Sequence, residues 1–178
     1  MRRIALTAHP TTPSPSIQGL EVRAAVPRPG VLELRYLLQG DLAHIRVVPS
    51  EAGPTGRADN LWKHTCFEAF IRTAGSQSYG ELNFSVAKQW AAYHFDGYRT
   101  GMMPLELPEP PEISVTRTPQ HLELHATVAL AREYGPTLLA LTAVVEEDNG
   151  SLCYWSARHP PGKPDFHHPD GFVFELEV

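Results

Sequence analysis

Aromatic and hydrogen-bonding side chains crowd into three stretches of this 178-residue chain. The first is Leu61-Trp62-Lys63-His64-Thr65-Cys66-Phe67-Glu68. The second begins Tyr79-Gly80-Glu81-Leu82-Asn83-Phe84-Ser85 and resumes from Trp90 to Met102 through Tyr93, Phe95, Tyr98 and Arg99. The third runs from Tyr154-Trp155 through His159, Pro160, Pro164, Asp165 and Phe166 to His167-His168. Carboxylates, a planar amide and a rigid guanidinium fork suit the noncovalent holding of a small polar ligand. Glu68 and Glu81 could be imagined as the paired carboxylates of a glycoside hydrolase, but nothing in the spacing sets their separation. Gly-x-Ser-x-Gly, a P-loop and Gly-x-Gly-x-x-Gly are all missing. The expectation is a protein that binds rather than one that catalyses.

The bland alternatives stand beside each candidate. Tryptophans in strands commonly pack, and Trp90, between Gln89 and Ala91, reads that way. Trp62 and Trp155 stay open between packing and ligand contact. A buried Glu68 needs a partner, and Arg99 is the candidate, so the two are either a structural pair or ligand contacts. His159, His167 and His168 share a Pro-rich loop with Asp165 and Asp170, but their spacing matches no metal knuckle, and adjacent histidines in extended chain point opposite ways. No metal centre is expected. His159 and His167 are instead expected to bond loop backbone left free by the prolines.

The elements that must position these residues have a period of two. Leu32, Leu34, Tyr36 and Leu38 alternate with Glu33 and Arg35; Leu122, Leu124, Ala126 and Val128 with Glu123, His125 and Thr127; Phe172, Phe174, Leu176 and Val178 with Val173, Glu175 and Glu177. Such alternation marks strands with one face on a core. Further strands are expected at Cys66–Arg72, Tyr79–Ser85, Trp90–Phe95, Ile113–Arg117, Thr137–Glu146 and Leu152–Ala157, separated by turn signals such as Asp96-Gly97 and Asp148-Asn149-Gly150. Glu146-Glu147-Asp148 is read as a solvated strand end. Only Val128–Tyr134 looks helical, for about two turns before Gly135-Pro136. Pro10, Pro13 and Pro15 predict an extended arm over residues 1–16. About ten strands and at most one short helix predict an all-β fold, a two-sheet antiparallel sandwich with jelly-roll-like connections. One domain is expected over 1–178, the size at which a core needs no staple.

Fifteen Lys and Arg against 20 Asp and Glu give a net charge of -5, which builds no field for nucleic acid. The start, Met1-Arg2-Arg3-Ile4, leads into too short an apolar stretch for a secretory signal, and no apolar run is long enough for a membrane helix. Cytoplasm is the expected compartment. Cys66 and Cys153 then read as buried, reduced thiols.

Taken in order, several motifs resemble one family. They are Thr65-Cys66-Phe67-Glu68; Glu81-x-Asn83-Phe84-Ser85 followed by Trp90-Ala91-x-Tyr93-x-Phe95; Tyr98-Arg99-x-Gly101-Met102; and Tyr154-Trp155 leading to His159-Pro160 and Pro164-Asp165-Phe166-His167. Over residues 17–178 the chain resembles bacterial DOMON-like proteins related to the family-nine carbohydrate-binding modules. The sequence departs from the expected pattern after Ser85, where Val86-Ala87-Lys88-Gln89 stands in place of a Pro and a Gly-type turn. The resemblance implies a β-sandwich that binds a sugar or sugar-containing metabolite, with two tryptophans clasping the ring. By position these would be Trp62 and Trp155. Glu68, Glu81, Asn83 and Arg99 would supply polar contacts, and His159, Asp165 and His167 the loop around them. Haem is the rival ligand that the resemblance implies, with Met102, Met103 and the histidines as axial candidates; no Cys-x-x-Cys-His is present for covalent attachment. A third reading is a protein-interaction or oligomerisation domain using a sheet edge or the Pro-rich arm.

Overall fold

A computed structural model describes residues 1–46, 55–130 and 137–176. Among the described residues there is no α-helix, and the regular structure is carried by thirteen strands. These are β1 (Arg2–Ala8), β2 (Ile17–Arg28), β3 (Val31–Gly40), β4 (Gly56–Arg57), β5 (Cys66–Thr73), β6 (Tyr79–Ser85), β7 (Gln89–Phe95), β8 (Met103–Pro104), β9 (Glu112–Arg117), β10 (His121–Ala129), β11 (Thr137–Glu146), β12 (Leu152–Ser156) and β13 (Phe174–Leu176). The all-β sandwich is present. Its two halves are nonetheless joined: neighbours run β4-β7-β6-β5-β11-β12-β1-β2-β3-β10-β9 without a break.

The join is β1. Its residues Arg2 to Leu6 pair with Ala24 to Leu20 of β2, while Thr7 and Ala8 pair with Ser156 and Trp155 of β12. Arg2–Ala8 is therefore a strand inside the sheet, and the expected arm over 1–16 shrinks to the Pro-bearing connection after it. Pairing is antiparallel except at β4, which lies parallel to β7 over two residues. The expected helix at Val128–Tyr134 is not formed at its start: Val128 and Ala129 belong to β10, paired with Leu32 and Val31; residues 131–134 lie outside the described ones. The final strand is shorter than its pattern suggests, because Phe172 ends a 3₁₀ turn at Pro169–Gly171.

The inner layer is built as the period-two stripes demand. Leu32, Leu34, Tyr36 and Leu38 of β3 meet Phe67, Ala69 and Ile71 of β5, Leu82 and Phe84 of β6, and Leu139, Leu141, Ala143 and Val145 of β11 in one cluster. The Tyr36 hydroxyl donates to the Glu68 carbonyl at 2.6 Å, so the polar tip of this fully buried side chain is satisfied across the layer.

A second, smaller apolar cluster covers the opposite face of β5, β6, β7, β11 and β12. Cys66, Phe70, Tyr79, Ala91, Tyr93, Phe95, Ala140 and Val144 lie there beneath Leu61, Phe166 and Phe172. Two covered faces explain why Ala69-Phe70-Ile71 is apolar without alternation. Glu146 and Glu147, expected in solvent, are buried instead. Arg46 and His64 bond the Glu146 carboxylate at 3.0 and 2.7 Å, and the Ser14 and Ser16 hydroxyls donate to Glu147 at 2.9 and 2.6 Å. Cys66 and Cys153 are both buried and unlinked.

Candidate functional site

The outer face of the β5–β6–β7–β11–β12 half carries Glu68, Glu81, Asn83 and Thr142 among mostly apolar neighbours. On β5 the odd residues Phe67, Ala69 and Ile71 turn inward, so Cys66, Glu68 and Phe70 turn outward. On β6, Leu82 and Phe84 turn inward, leaving Tyr79, Glu81 and Asn83 on the same outer face. Glu68 stands opposite Asn83 in the antiparallel register, and Glu81 lies on its diagonal. Above this floor sit the 3₁₀ turn Leu61–Lys63, the 96–102 turn and the 157–173 loop. They close a cleft of about 340 Å³, lined by Trp62, Glu68, Glu81, Phe95, Arg99, Met102, Val144, Tyr154, Pro164, Phe166 and His167.

Of the expected residues, Trp62, Glu68, Glu81, Arg99 and His167 line this cleft, and Asn83 and Asp165 support it. Trp155 does not. It is only 6% exposed and points into the inner layer with Cys153, its indole N–H without a partner. The reason is parity. Ala143 of β11 faces Trp155 and Val144 faces Tyr154; Ala143 is an inner residue and Val144 lines the cleft. Tyr154 therefore takes the wall that Trp155 was expected to supply, with Phe166 edge-on against it at 5.7 Å. His159 is also elsewhere, its Nε2 2.8 Å from the Thr7 carbonyl and its ring against His9.

The polar groups form two sets. At the rim, Arg99 donates to Asp165 Oδ1 at 2.7 Å and the Tyr98 hydroxyl to Oδ2 at 2.5 Å. Burial raises the Asp165 carboxyl, but these donations outweigh it and hold the group below the ordinary carboxylate range. The proposed Glu68–Arg99 pair is thus replaced by an Asp165–Arg99 pair. Arg99 owes its position to a tight turn in which it adopts φ 53° and Gly101 φ 66°; Asp96 N–H closes the turn on the Thr100 carbonyl at 3.0 Å.

On the floor, Asn83 Nδ2 donates to Glu81 Oε1 at 2.7 Å. Arg99 N–H donates to the Tyr79 oxygen at 3.3 Å, leaving the Tyr79 hydroxyl to donate to His167 Nδ1 at 2.7 Å. This assigns the ring proton to Nε2, which faces Glu81 Oε2 at 3.9 Å. Burial, then the Arg99 charge, pushes His167 down to about 4, so it is neutral. Burial raises Glu81 to about 7. Burial and then the Glu81 charge raise Glu68 well above the ordinary range, offset only in part by Thr142 and Cys66. Glu68 is 2% exposed, and its Oε1 has no hydrogen-bond partner of good geometry.

Tyr79, Tyr154, Phe95 and Phe166 stand in the aromatic stretches but are not among the expected contact residues. Face parity carries the signal for Tyr79, two positions before Glu81, and for Tyr154, beside an inward Cys153. Nothing local marks Phe166, which reaches the cleft through its loop.

The sequence matches no protein-family model and none of the curated proteins. Solved structures do share the fold. A candidate carbohydrate-binding protein from Bacteroides uniformis ATCC 8492 superposes with a TM-score of 0.69 at 14% identity, over 99% of this chain and 85% of that one. A family-nine carbohydrate-binding module from Caldicellulosiruptor kristjanssonii in complex with glucose gives 0.58 at 8% identity, over 94% of this chain and 78% of the other. The same organism's family-nine module in complex with cellotriose gives 0.59 at 6% identity, over 98% and 82%. At these identities the likeness establishes the sandwich and nothing finer.

Proposed function

We propose that the outer cleft is a non-catalytic binding site for a sugar or sugar-containing metabolite. The observation that carries this reading is Glu68, a buried carboxyl on the floor of an aromatic-walled cleft, whose Oε1 makes no well-formed hydrogen bond and whose neighbours Thr142 and Cys66 offset its burial only in part. Buried polar atoms are rarely left unpaired, and one that is calls for a water or ligand. A sugar hydroxyl fits the need, while C–H patches of a pyranose ring fit the faces of Trp62 and Tyr154. Glu81, Asn83 and Arg99 would take further hydroxyls, and the fold shared with glucose- and cellotriose-bound modules points the same way. The DOMON-like resemblance of residues 17–178 belongs to the same reading.

Hydrolysis is a poorer account. A carboxylate pair divides its work between a protonated acid and an ionised base, yet burial pushes both Glu68 and Glu81 toward the neutral form. Haem does not fit the donor set. Two carboxyls line the floor where an apolar slot is needed, and His167 Nδ1 is already engaged by Tyr79.

Calorimetric titration with glucose, cellotriose and other mono- and disaccharides tests the proposal. Saturable binding that is lost in Trp62→Ala and Tyr154→Ala is expected. Absence of binding to every sugar, or binding that survives both substitutions, would sink it.

A further inference from the structure

We propose that the preferred ligand of this cleft is a cationic sugar, a hexose whose amine is protonated, seated with its ammonium between Glu68 and Glu81. The inference rests on the sugar-binding reading and adds the charge of the ligand to it.

The argument is a census of what faces the two carboxyls. From β5 come Glu68 and Cys66; from β6, Tyr79, Glu81 and Asn83; from β7, Tyr93 and Phe95; from β11, Thr142 and Val144; from the turn, Arg99; and from the covering loop, Asp165 and His167. Three of these are carboxyls and one is a permanent cation. That cation, Arg99, spends its guanidinium on Asp165 at 2.7 Å, outside the pair. Asn83 satisfies one oxygen of Glu81, and the other faces a His167 nitrogen 3.9 Å away, beyond hydrogen-bond reach. Glu68 Oε1 makes no well-formed hydrogen bond, and the neutral Thr142 and Cys66 beside it offset its burial only in part. Two buried acids on the ladder diagonal, roughly 7 Å apart at the backbone, therefore share one floor, and the one permanent cation among the described residues of this cleft, Arg99, reaches Glu81 only at long range while bonded to Asp165. Neutral hydroxyls would satisfy single lone pairs there. An ammonium, with three donors and a positive charge, satisfies both acids and removes the reason for their staying protonated.

Proton bookkeeping follows from this. In the empty cleft burial favours the protonated acids. When the ammonium enters, it stabilises both carboxylates, and the protons they give up go to the buffer. The ligand keeps its own proton.

The experiment uses the intact protein at about pH 6, where Glu81 is still largely protonated. Glucosamine, glucose and N-acetylglucosamine are titrated calorimetrically in two buffers of different ionisation enthalpy. Expected is glucosamine binding tighter than both neutral sugars by about tenfold, the scale of a charge-assisted bond. Its measured heat should shift between buffers in the direction of proton release, and the preference should vanish in Glu68→Gln and Glu81→Gln. The buffer dependence is read on the unaltered protein, so it stands even if a variant folds poorly. Glucose bound as tightly as glucosamine, with no proton release, overturns the cationic preference and leaves sugar binding intact. No binding of any of the three overturns both.

Discussion

At the scale of single residues, the three tryptophans occupy three environments and predict three phenotypes. Trp155→Ala should remove a filled part of the inner layer and cost about 3–5 kcal/mol of stability, read by urea denaturation. Trp62→Ala, at the half-buried wall of the cleft, should leave the denaturation midpoint nearly unchanged while abolishing sugar binding. Equal effects of the two on both readouts would contradict the assignment of inner and outer faces. Glu81 makes a separate prediction. Its native carboxyl titrates at about 7, against about 4.3 in an unfolded chain. The folded state therefore binds the proton more tightly, and the stability this contributes is complete below about pH 4.3 and lost as pH rises through about 7. His167 has the opposite slope: with its native value near 4, it adds stability as pH rises from about 4 to about 6.5. The two partly cancel in the wild type, and Glu81→Gln separates them. Relative to wild type the variant should gain on the order of 3–4 kcal/mol between about pH 4.3 and above 7. Parallel stability curves would refute the burial of that charge.

Between single residues and the whole stand the short elements that aim them. The 96–102 turn is the sharpest case, because a Cβ on Gly101 would run into the Asp96 carboxylate and the residue also needs φ 66°. Gly101→Ala should destabilise the protein by about 1–3 kcal/mol and weaken ligand binding by displacing Arg99 from Asp165. A variant that keeps wild-type affinity would show that the turn does not position the rim. The strands themselves were legible: Tyr79–Ser85 and Thr137–Glu146 form with the predicted bounds, since alternation and flanking turn residues agree there. Strand β2 was not among the expected strands, although Leu20, Val22 and Ala24 alternate inward and Gly19 and Arg23 fall on the opposite face. The site was half legible. Glu68, Glu81, Asn83 and Arg99 drew notice by their chemistry, but their partners depend on register between strands and on a covering loop, neither of which a local pattern contains. Trp155 was misplaced for that reason: type favoured it, and a one-residue parity choice gave the wall to Tyr154. Glu146 and Glu147 read as solvent-facing because their partners, Arg46 and Ser14, are about a hundred or more positions away in sequence.

For the molecule as a whole, continuity through β1 is the feature with the widest effect. Deleting residues 1–8 would leave the facing edges of β2 and β12 unpaired, and open edges invite association. The shortened protein should melt at a lower temperature and show concentration-dependent light scattering. A monomeric product of unchanged melting temperature would demote β1 to an accessory strand. The same join has a bearing on kinetics. Thr7 and Ala8 find their partners at Ser156 and Trp155, so the contact closes a loop of 149 positions between Thr7 and Ser156, and closing so long a loop is entropically late and slow. On the ribosome, β1 must wait beside an unmatched edge until a partner nearly 150 positions later has been synthesised, and during that wait the nascent protein is at its most vulnerable to pairing with the wrong neighbour.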